Sequence, residues 1–391
     1  MSLADQSRSA GRGLHDEEET HEWTVVVELL KRTDQSLLMR IARKMINYLC
    51  WSGVKEADEL LTAFGAGFRQ THQILGERNA PSLLDGATTP PALADEVFRL
   101  ACHHLSDEEI LACIEKWIKQ DRASFLVTTL ENEHTTLGEV GDAINRFLHA
   151  THGEIELADS TRRGLQVMLI KRFLTDQLEY VRVAKNYVDI RDFHQLMHRM
   201  IYPTRGHGRI GGKGSGMFLA GQIVRRHTQQ EPLFGNIRTP KTWYVTSDGI
   251  HDFAHANHLE DIFTQKYKDI DEVRQEYPYI VQMFKRSYFS SDLIKGLSMA
   301  LDDFGDTPLI VRSSSLLEDR YGAAFSGKYK SLFLANQGAK REKLAALCDA
   351  IAEIYASTFS PDPILYRTEK NLIDFQEGMG VMIQELSLIH I

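Results

Sequence analysis

A glycine-rich segment, GHGRIGGKGSGMFLA at residues 206–220, holds six glycines in its first eleven positions around one lysine, Lys213. Glycines let backbone amides approach an anion closely, and the apolar run behind them predicts a helix whose amino terminus favours negative charge. The lysine adds a point charge. Together these features predict a phosphate site, although the segment read alone also fits a flexible hinge with a solvated lysine.

Two familiar phosphate-binding loops do not fit this segment. Three of its glycines match G-x-G-x-x-G, but that fingerprint requires a strand before the loop. The preceding residues, LMHRMIYPT, predict a helix closed by Pro203 instead. A Walker loop is also excluded, because His207 stands where its first glycine is needed and Gly214 replaces the hydroxyl residue that holds magnesium.

A second segment with the potential for phosphate chemistry is PLIVRSSSLLEDRYGAAFSGKYKSLFLAN, residues 308–336. It places Arg312 at the end of an apolar run that predicts a strand, and a loop of small residues leads from there into another predicted strand. An arginine can donate two parallel hydrogen bonds to a phosphate, and the backbone at Gly327 can close over it. Taken alone, such an arginine is structural about as often as functional.

The elements that must position these residues change in character after residue 200. From about residue 24 to 200 the apolar periodicity is helical, with a Pro-rich break. After Pro203, short β-rich runs such as TWYVTS, PLIVRSSS and GVMIQEL alternate with helical stretches. We therefore predict an α+β protein with a tail at 1–22, a helical domain at 23–200 with a linker at 80–94, and a mixed domain at 201–391.

Within the helical region, some boundaries can be predicted from local signals. A helix that includes the apolar stripe from Leu38 to Leu49 should begin after Thr33 or Asp34 and stop at Gly53. Ser106 and Glu109 form a capping box for another helix. The segment ASFLVTTL, at 123–130, predicts the one strand of this region.

Composition limits the class of protein and its partners. The chain has 391 residues, 43% of them hydrophobic and 25% charged, which is ordinary for two or three folded domains. A formal net charge of −9 argues against broad binding to nucleic acid or anionic membranes. Four cysteines without short paired spacing indicate a reducing, cytoplasmic location. No run approaches the roughly 18 apolar residues of a membrane helix.

Five segments carry a family resemblance. They are IGGKGSGMFLAGQIV, KTWYVTSDGIHDFAHA, LIVRSSSLLEDRYGAAFSGKYKSLFLAN, IYASTFSPDPILYR and GVMIQEL, and they follow one another between residues 206 and 386. In content and order they resemble the ATP-binding domain of the phosphoenolpyruvate synthase and pyruvate phosphate dikinase family. The resemblance implies an ATP-grasp fold with nucleotide between two lobes. It also implies a dikinase that passes the β-phosphoryl group of ATP to a carrier histidine and then to pyruvate.

The resemblance implies roles for the residues around the lysine and the arginine. Lys213, flanked by Gly212 and Gly214, is similar to the family's phosphate-contacting lysine. Arg312 is similar to the arginine that stabilises charge on the transferring phosphoryl group, so we assign it both nucleotide binding and catalysis. The physical account agrees, since phosphoryl transfer depends mainly on positioning and on cations at the phosphate oxygens.

The resemblance extends nucleotide binding to three further residues. Gly327 and Ser331 match the loop that covers the phosphates, and Gln384 matches the strand near adenine. Glu318 and Asp319 match an acidic pair of the motif, to which we assign no role. The expected cofactors are ATP and Mg²⁺.

Other parts of the family pattern are missing. The magnesium ligands, the carrier histidine and the pyruvate-binding barrel would lie beyond residue 391, and the ending SLIHI suggests a truncated or foreign terminus. We do not expect this chain alone to complete catalysis. Two alternatives stay open: a nucleotide-sensing or interaction module without turnover, and a fragment of a rifampicin-type antibiotic phosphotransferase. The acceptor, the oligomeric state, including a homo-oligomer, and the role of the helical region also stay open.

Histidine pairs at helical spacing raise the question of a metal site. His194 and His198 lie one turn apart, and His251, His255 and His258 share one helix face. Both sets could contact a transition metal. Neither has the remaining ligands of a recognised metal motif, so the sequence favours packed or solvated histidines.

Overall fold

The computed structural model describes residues 21–61, 91–150, 157–228, 237–317, 319–320, 323–324 and 327–386. Almost all of the predicted tail, most of the predicted linker and all of SLIHI lie outside the described residues. The chain divides into two compact units, Met1–Asp121 and Arg122–Ile391. Among the described residues, no helix has the length and apolar character needed to cross a membrane.

The first unit is built from helices. They are α1 (Glu22–Thr33), α2 (Gln35–Trp51), a helical stretch at 55–61, α3 (Pro91–His104) and α4 (Asp107–Glu131), whose residues after Asp121 belong to the second unit. The predicted apolar stripe of α2 is confirmed, because it is buried from Leu38 to Leu49. Asp34 caps this helix through the amide of Leu37 at 2.9 Å, and Gly53 follows its end with φ of 85°.

The predicted strand at 123–130 is wrong, because these residues form the last turns of α4. The hydroxyl groups of Thr128 and Thr129 donate to the carbonyl oxygens of Ser124 (3.0 Å) and Phe125 (2.8 Å), one turn earlier. This bonding accommodates β-branched side chains in a helix. Apolar residues of the same turns are buried in the second unit, so their packing outweighs the local preference for a strand.

The second unit surrounds a mixed sheet with helices. Its helices after α4 are α5 (Leu137–Ala150), α6 (Asp159–Phe173), α7 (Leu178–Ala184), α8 (Ile190–Met197), α9 (Gly212–Thr228), α10 (Gly249–Ala256), a 3₁₀ helix (Glu260–Tyr267), α11 (Ile270–Lys285), α12 (Ser291–Phe304), α13 (Lys340–Ser357) and α14 (Pro361–Glu369). The unit thus has helices on both sides of residue 200, where we predict a domain boundary.

The strands among the described residues form one five-stranded sheet and one small pair. They are β1 (Met200–Ile201), β2 (Thr242–Val245), β3 (Leu309–Ser315), β4 (Asp319–Arg320), β5 (Ala323–Ala324), β6 (Ser331–Leu334) and β7 (Met379–Glu385). The large sheet has the order β1-β2-β7-β3-β6, in which only β1 and β2 are parallel, and β4 pairs with β5. This helix-rich arrangement agrees with the predicted α+β class.

The two faces of the sheet are covered differently. One face is buried in a core that includes Val311, Val381 and residues of α10 to α13. On the other face, Met382 belongs to a second core that includes residues of α6, α8 and α9. Toward the β6 edge this second face is open, since Arg312 is only half-buried and Phe333 is 68% exposed.

The chain before the glycine-rich segment differs from the prediction. The predicted helix ends at Met197, and Met200 and Ile201 form the edge strand β1 instead. Both residues are buried, and they pair in parallel with Tyr244 and Val245 of β2. Tertiary pairing therefore overrides the helical pattern. As a result the glycine-rich segment does connect a strand to a helix.

Candidate functional site

Lys213 lies in the first turn of α9, and this turn is fixed to the end of β3. Its Nζ atom donates to Ser313 Oγ at 3.2 Å. The amide of Gly214 donates to Ser314 Oγ at 2.9 Å, and this hydroxyl in turn donates to the carbonyl oxygen of Ile210 at 2.8 Å. The serines that follow Arg312 therefore hold the lysine-bearing turn beside the strand that carries the arginine.

Gly211 makes this close approach sterically feasible. Its φ of 78° lies in the left-handed region, and a Cβ atom here would stand 1.7 Å from the carbonyl oxygen of Ser314. Any other residue would both strain the backbone and push α9 away from β3. This glycine serves packing, and Gly212 begins α9 directly behind it.

The earlier glycines contact a carboxylate. Asp248 Oδ2 accepts hydrogen bonds from the amides of His207 (2.7 Å) and Gly208 (2.9 Å), and Oδ1 accepts from Thr246 Oγ1 (2.6 Å). A Cβ atom on Gly208 would stand 2.2 Å from Oδ1. These two amides are thus already satisfied, so the strand-loop-helix arrangement does not offer them to a pyrophosphate. Sequence reasoning missed Asp248, whose only signal is its place in the segment TSDG.

Arg312 and Ser331 lie side by side on the open face of the sheet. They are paired across β3 and β6, so their side chains project to the same side. Arg312 is half-buried, and within the described residues its guanidinium group has no hydrogen-bond or ion-pair partner. Its immediate neighbour Ser313 contacts Lys213. Lys213 and Arg312 are thus associated with successive residues of the same strand.

Gln384, on β7, lies on the same face of the sheet, two residues along the strands from the position of Arg312. It is paired with Ile310 on β3, and Ile310 is paired with Phe333 on β6. Gln384 is buried, and its Nε2 atom donates to Thr242 Oγ1 at 3.0 Å. Of these residues the aromatic ring of Phe333 is the most exposed. The open face therefore has an apolar part next to the basic part.

Gly327 lies in the turn before β6, with φ of 76° and open space where a Cβ atom would be. Its backbone conformation favours glycine, while packing places no demand on it. Of the acidic pair, Glu318 lies outside the described residues, and Asp319 begins β4. The roles of Gly212, Lys213, Gly214, Arg312, Gly327, Ser331 and Gln384 in nucleotide binding stay predictions.

The rings of His194 and His198 meet edge-on with centroids 4.6 Å apart, whereas His251 and His255 have separate partners. His251 stacks on Phe263 with ring centroids 4.6 Å apart, and burial lowers its pKa, whereas the exposed His255 pairs with Glu260 at 2.8 Å. His194 contacts Asn145, and burial lowers its pKa as well. Within the described part of the chain, no group of three or more His, Cys, Asp or Glu side chains could hold a metal ion.

A buried polar cluster joins the end of β3 to the chain just before β7, and no sequence pattern indicates it. The carboxylate of Glu377 accepts hydrogen bonds from Ser315 Oγ at 2.5 Å, from the Tyr329 hydroxyl and from Arg367 Nη1. Burial raises the pKa of Tyr329 well above its ordinary value, and the adjacent carboxylate raises it further. The cluster fixes the end of β3 beyond the arginine.

A cavity of about 590 Å³ lies beside the later turns of α9, away from Lys213. Arg199, Arg225 and Arg238 line it, together with Thr242, the partner of Gln384. Neither Lys213 nor Arg312 contributes to its wall. The open sheet face carries Arg312, whose guanidinium group has no partner among the described residues, and the lysine-bearing turn is bonded to the same strand, so we place the candidate site there.

Comparison with known proteins adds a family to this geometry. A search of curated proteins found no match. Residues 207–388 match the family described as pyruvate phosphate dikinase, AMP/ATP-binding domain. The matched segment begins in the glycine-rich loop and includes the lysine-bearing turn, β3, β6 and β7. Over these residues the chain is therefore similar to the AMP/ATP-binding domain of pyruvate phosphate dikinase.

Proposed function

We propose that the open sheet face binds the phosphates of ATP between Lys213 and Arg312. The observation that carries this proposal is the half-buried guanidinium group of Arg312, which lacks a partner among the described residues and lies next to the serine that contacts Lys213. A partly desolvated cation is stabilised by an anion, and a guanidinium group matches two phosphate oxygens at once. Lys213 adds a second positive charge at the start of a helix.

The remaining predicted residues supply the rest of the nucleotide site. Ser331 carries a hydroxyl beside Arg312, and the turn at Gly327 provides backbone free of side-chain bulk next to it. The apolar side of the same face, near Gln384 and Phe333, is suited to a base, because aromatic and apolar surfaces stack on flat rings. We infer an ATP-grasp arrangement in which a second lobe would cover this face.

In the wider reaction, we infer that the module serves a dikinase of the phosphoenolpyruvate synthase kind. ATP supplies the phosphoryl group, which passes to a carrier histidine elsewhere and from there to pyruvate. The part of this chain is to bind and orient the phosphates and to place the charge of Arg312 where negative charge develops. Where transfer is assayed with the carrier present, Arg312→Ala should therefore reduce the rate more than the affinity for ATP.

The binding part of the proposal is tested by calorimetric titration of the 391-residue chain with ATP, in the presence and absence of Mg²⁺, and with adenosine. Lys213→Ala should weaken ATP binding by about 1–3 kcal/mol, the value of a charge-assisted hydrogen bond. Adenosine binding should stay unchanged, because it lacks phosphates. Arg341→Ala serves as the matched control, since Arg341 is an exposed cation of α13 outside the proposed site.

Two results would contradict the proposal. Equal ATP affinity in the wild type and in Lys213→Ala would mean that the glycine-rich segment is a flexible hinge and not a phosphate site. Equal losses in Lys213→Ala and Arg341→Ala would indicate a general effect of charge and no defined phosphate site. Saturable ATP binding without any transfer to a carrier histidine would instead favour the nucleotide-sensing alternative.

A further inference from the structure

A second cavity, of about 270 Å³, lies in the unit that carries the sheet but is separate from the proposed nucleotide site. Residues from α10, the 3₁₀ helix, α14 and the chain before β7 line it, and neither Lys213 nor Arg312 is among them. Its volume is just below the range of about 300–1,000 Å³ that is usual for ligand pockets. Any ligand must therefore be small.

Two residues that line the cavity each carry a buried polar atom without a hydrogen-bond partner among the described residues. Arg367 is 2% exposed, and its Nη2 atom donates to the carbonyl oxygen of Thr358 at 2.9 Å, while Nη1 donates to Glu377. Its Nε atom and the Oγ1 atom of Thr358, a residue 3% exposed, have no hydrogen-bond partner among the described residues. Leaving such groups unsatisfied costs the free energy of their desolvation. Since Nε can only donate, a ligand must present an acceptor.

The charge of the wall favours an anion. Arg367 and Lys266 contribute two cations, and Glu377 contributes one carboxylate. Lys266 Nζ makes a long contact, 3.4 Å, to the carbonyl oxygen of Phe375 and lies 4.9 Å from the centre of the exposed Tyr267 ring. Burial, and next to it the charge of Arg367, lowers the pKa of Lys266. One additional negative charge would neutralise the net positive charge of the cavity wall and would stabilise the protonated form of Lys266.

The rest of the wall is flat and apolar. The rings of Phe263 and His251 stack at 4.6 Å with an interplanar angle of 29°, and Phe359 meets Phe263 edge-on at 5.6 Å. Burial lowers the pKa of His251 and so favours the neutral ring, while Asp248 opposes this shift. Such surfaces accept a planar apolar body, and the few polar groups fix its orientation.

We propose that this cavity binds a small planar monocarboxylate. Its oxygens would accept hydrogen bonds from Arg367 Nε and Thr358 Oγ1 near the ammonium group of Lys266, and its body would lie against Phe263. This satisfies both orphaned groups and balances the wall's charge. A purely apolar molecule would leave all three groups uncompensated, and a large phosphorylated ligand would exceed the space.

Benzoate is the probe for this site, and benzamide is its neutral analogue of the same shape. In calorimetric titrations of the full chain, we expect saturable benzoate binding with a dissociation constant of about 0.01–1 mM, as suits a ligand of nine heavy atoms. Benzamide should bind at least about tenfold more weakly, because it lacks the charge that Lys266 and Arg367 select. Inorganic phosphate should not displace benzoate, since it has no apolar body.

Two conservative variants separate recognition from folding. Thr358→Val keeps the shape of the side chain and removes the hydroxyl, and Lys266→Gln removes the charge of a half-buried residue. Each should weaken benzoate binding by about fivefold or more. Lys268→Gln, at a surface ion pair with Glu276, is the matched control and should leave the affinity unchanged.

Each of three results would overturn the proposal. No saturable binding to a folded chain would mean that water satisfies the two orphaned groups. Equal affinity for benzoate and benzamide would mean an apolar pocket without selection for a carboxylate. Displacement of benzoate by phosphate would mean a general anion site. None of these outcomes depends on ATP binding, so the proposal and the proposed nucleotide site can fail independently.

Discussion

Gly211 lies so close to Ser314 that a Cβ atom on the glycine would stand 1.7 Å from the serine carbonyl oxygen. This contact joins the start of α9 to the end of β3 and so brings the lysine-bearing turn beside the strand of Arg312. The position of Lys213 beside this strand therefore depends on one residue without a side chain.

Gly211→Ala should lower the free energy of unfolding by about 3 kcal/mol or more, because alanine is strained at positive φ and its Cβ atom would clash with the backbone of β3. Urea denaturation measures this. Gly216→Ala is the control: Gly216 is exposed within α9 with open space around it, so alanine should be neutral or stabilise by up to about 1 kcal/mol. Similar stability of the two variants would contradict the close contact.

Asp248→Ala should destabilise the second unit by about 2–4 kcal/mol, because it removes a carboxylate that accepts three hydrogen bonds and leaves two loop amides unpaired. Amide hydrogen exchange should quicken at His207 and Gly208. Asp302→Ala, which breaks a surface ion pair with Lys340, should leave exchange in this loop unchanged. Unchanged exchange in Asp248→Ala would show that the carboxylate does not hold the loop.

Glu377→Gln should cost about 3–5 kcal/mol of stability, because it leaves the charge of Arg367 buried without a counter-ion. Chemical denaturation measures the loss. The double variant Glu377→Leu/Arg367→Met should recover much of it, since removing both charges removes the uncompensated one. A double variant less stable than Glu377→Gln would mean that the hydrogen bonds of the cluster matter more than its charge balance.

Stability should fall above pH 10 because of buried tyrosines. Burial raises the pKa of Tyr329 well above its ordinary value of 10.0 and that of Tyr244 to about 12. These tyrosines contribute fully to stability below pH 10, where they are protonated in both the folded and the unfolded chain. This contribution is lost as the pH rises from there through the folded-state pKa, because only the unfolded chain then releases the proton. Each tyrosine contributes a slope of up to about 1.4 kcal/mol per pH unit.

Denaturation with urea between pH 8 and pH 11 checks this dependence. Tyr329→Phe should be less stable at pH 8, because Glu377 loses a donor, but its stability should fall less steeply above pH 10. Tyr267→Phe, at an exposed tyrosine, should retain the wild-type slope more closely. A slope in Tyr329→Phe equal to that of the wild type would contradict the raised pKa of Tyr329.

Local patterns in the sequence were sufficient for the isolated helices. The stripe and cap of α2 follow from spacing and from Asp34, and the box of Ser106 and Glu109 is present with the side chain of Glu109 2.9 Å from the amide of Ser106. The segment at 123–130 differs from the prediction. Its β-branched residues favour a strand locally, but the packing that makes it helical is not visible in the sequence.

The arrangement of the site follows only in part from the sequence. The order of the segments and their residue types indicate Lys213 and Arg312. The link between them depends on the hydrogen bond from Lys213 to Ser313, which lies 100 positions after Lys213 and next to Arg312. Asp248 gave no signal, because an aspartate near a glycine is common in turns. The sequence pattern does not indicate the two-residue strand β1, because its pairing with β2 is set by tertiary packing and not by its own sequence.

The carboxylate of Glu377 also has a consequence for folding kinetics. It bonds to Ser315 and Tyr329, which are 62 and 48 residues away along the chain, so these contacts close long loops. Contacts of this kind form after local structure, because the entropy of loop closure must be overcome first. Substitutions in the cluster should therefore accelerate unfolding while leaving the folding rate nearly unchanged. The lifetime of the folded unit, and with it of the strand that carries Arg312, is set in part by a residue that lies outside the proposed nucleotide site.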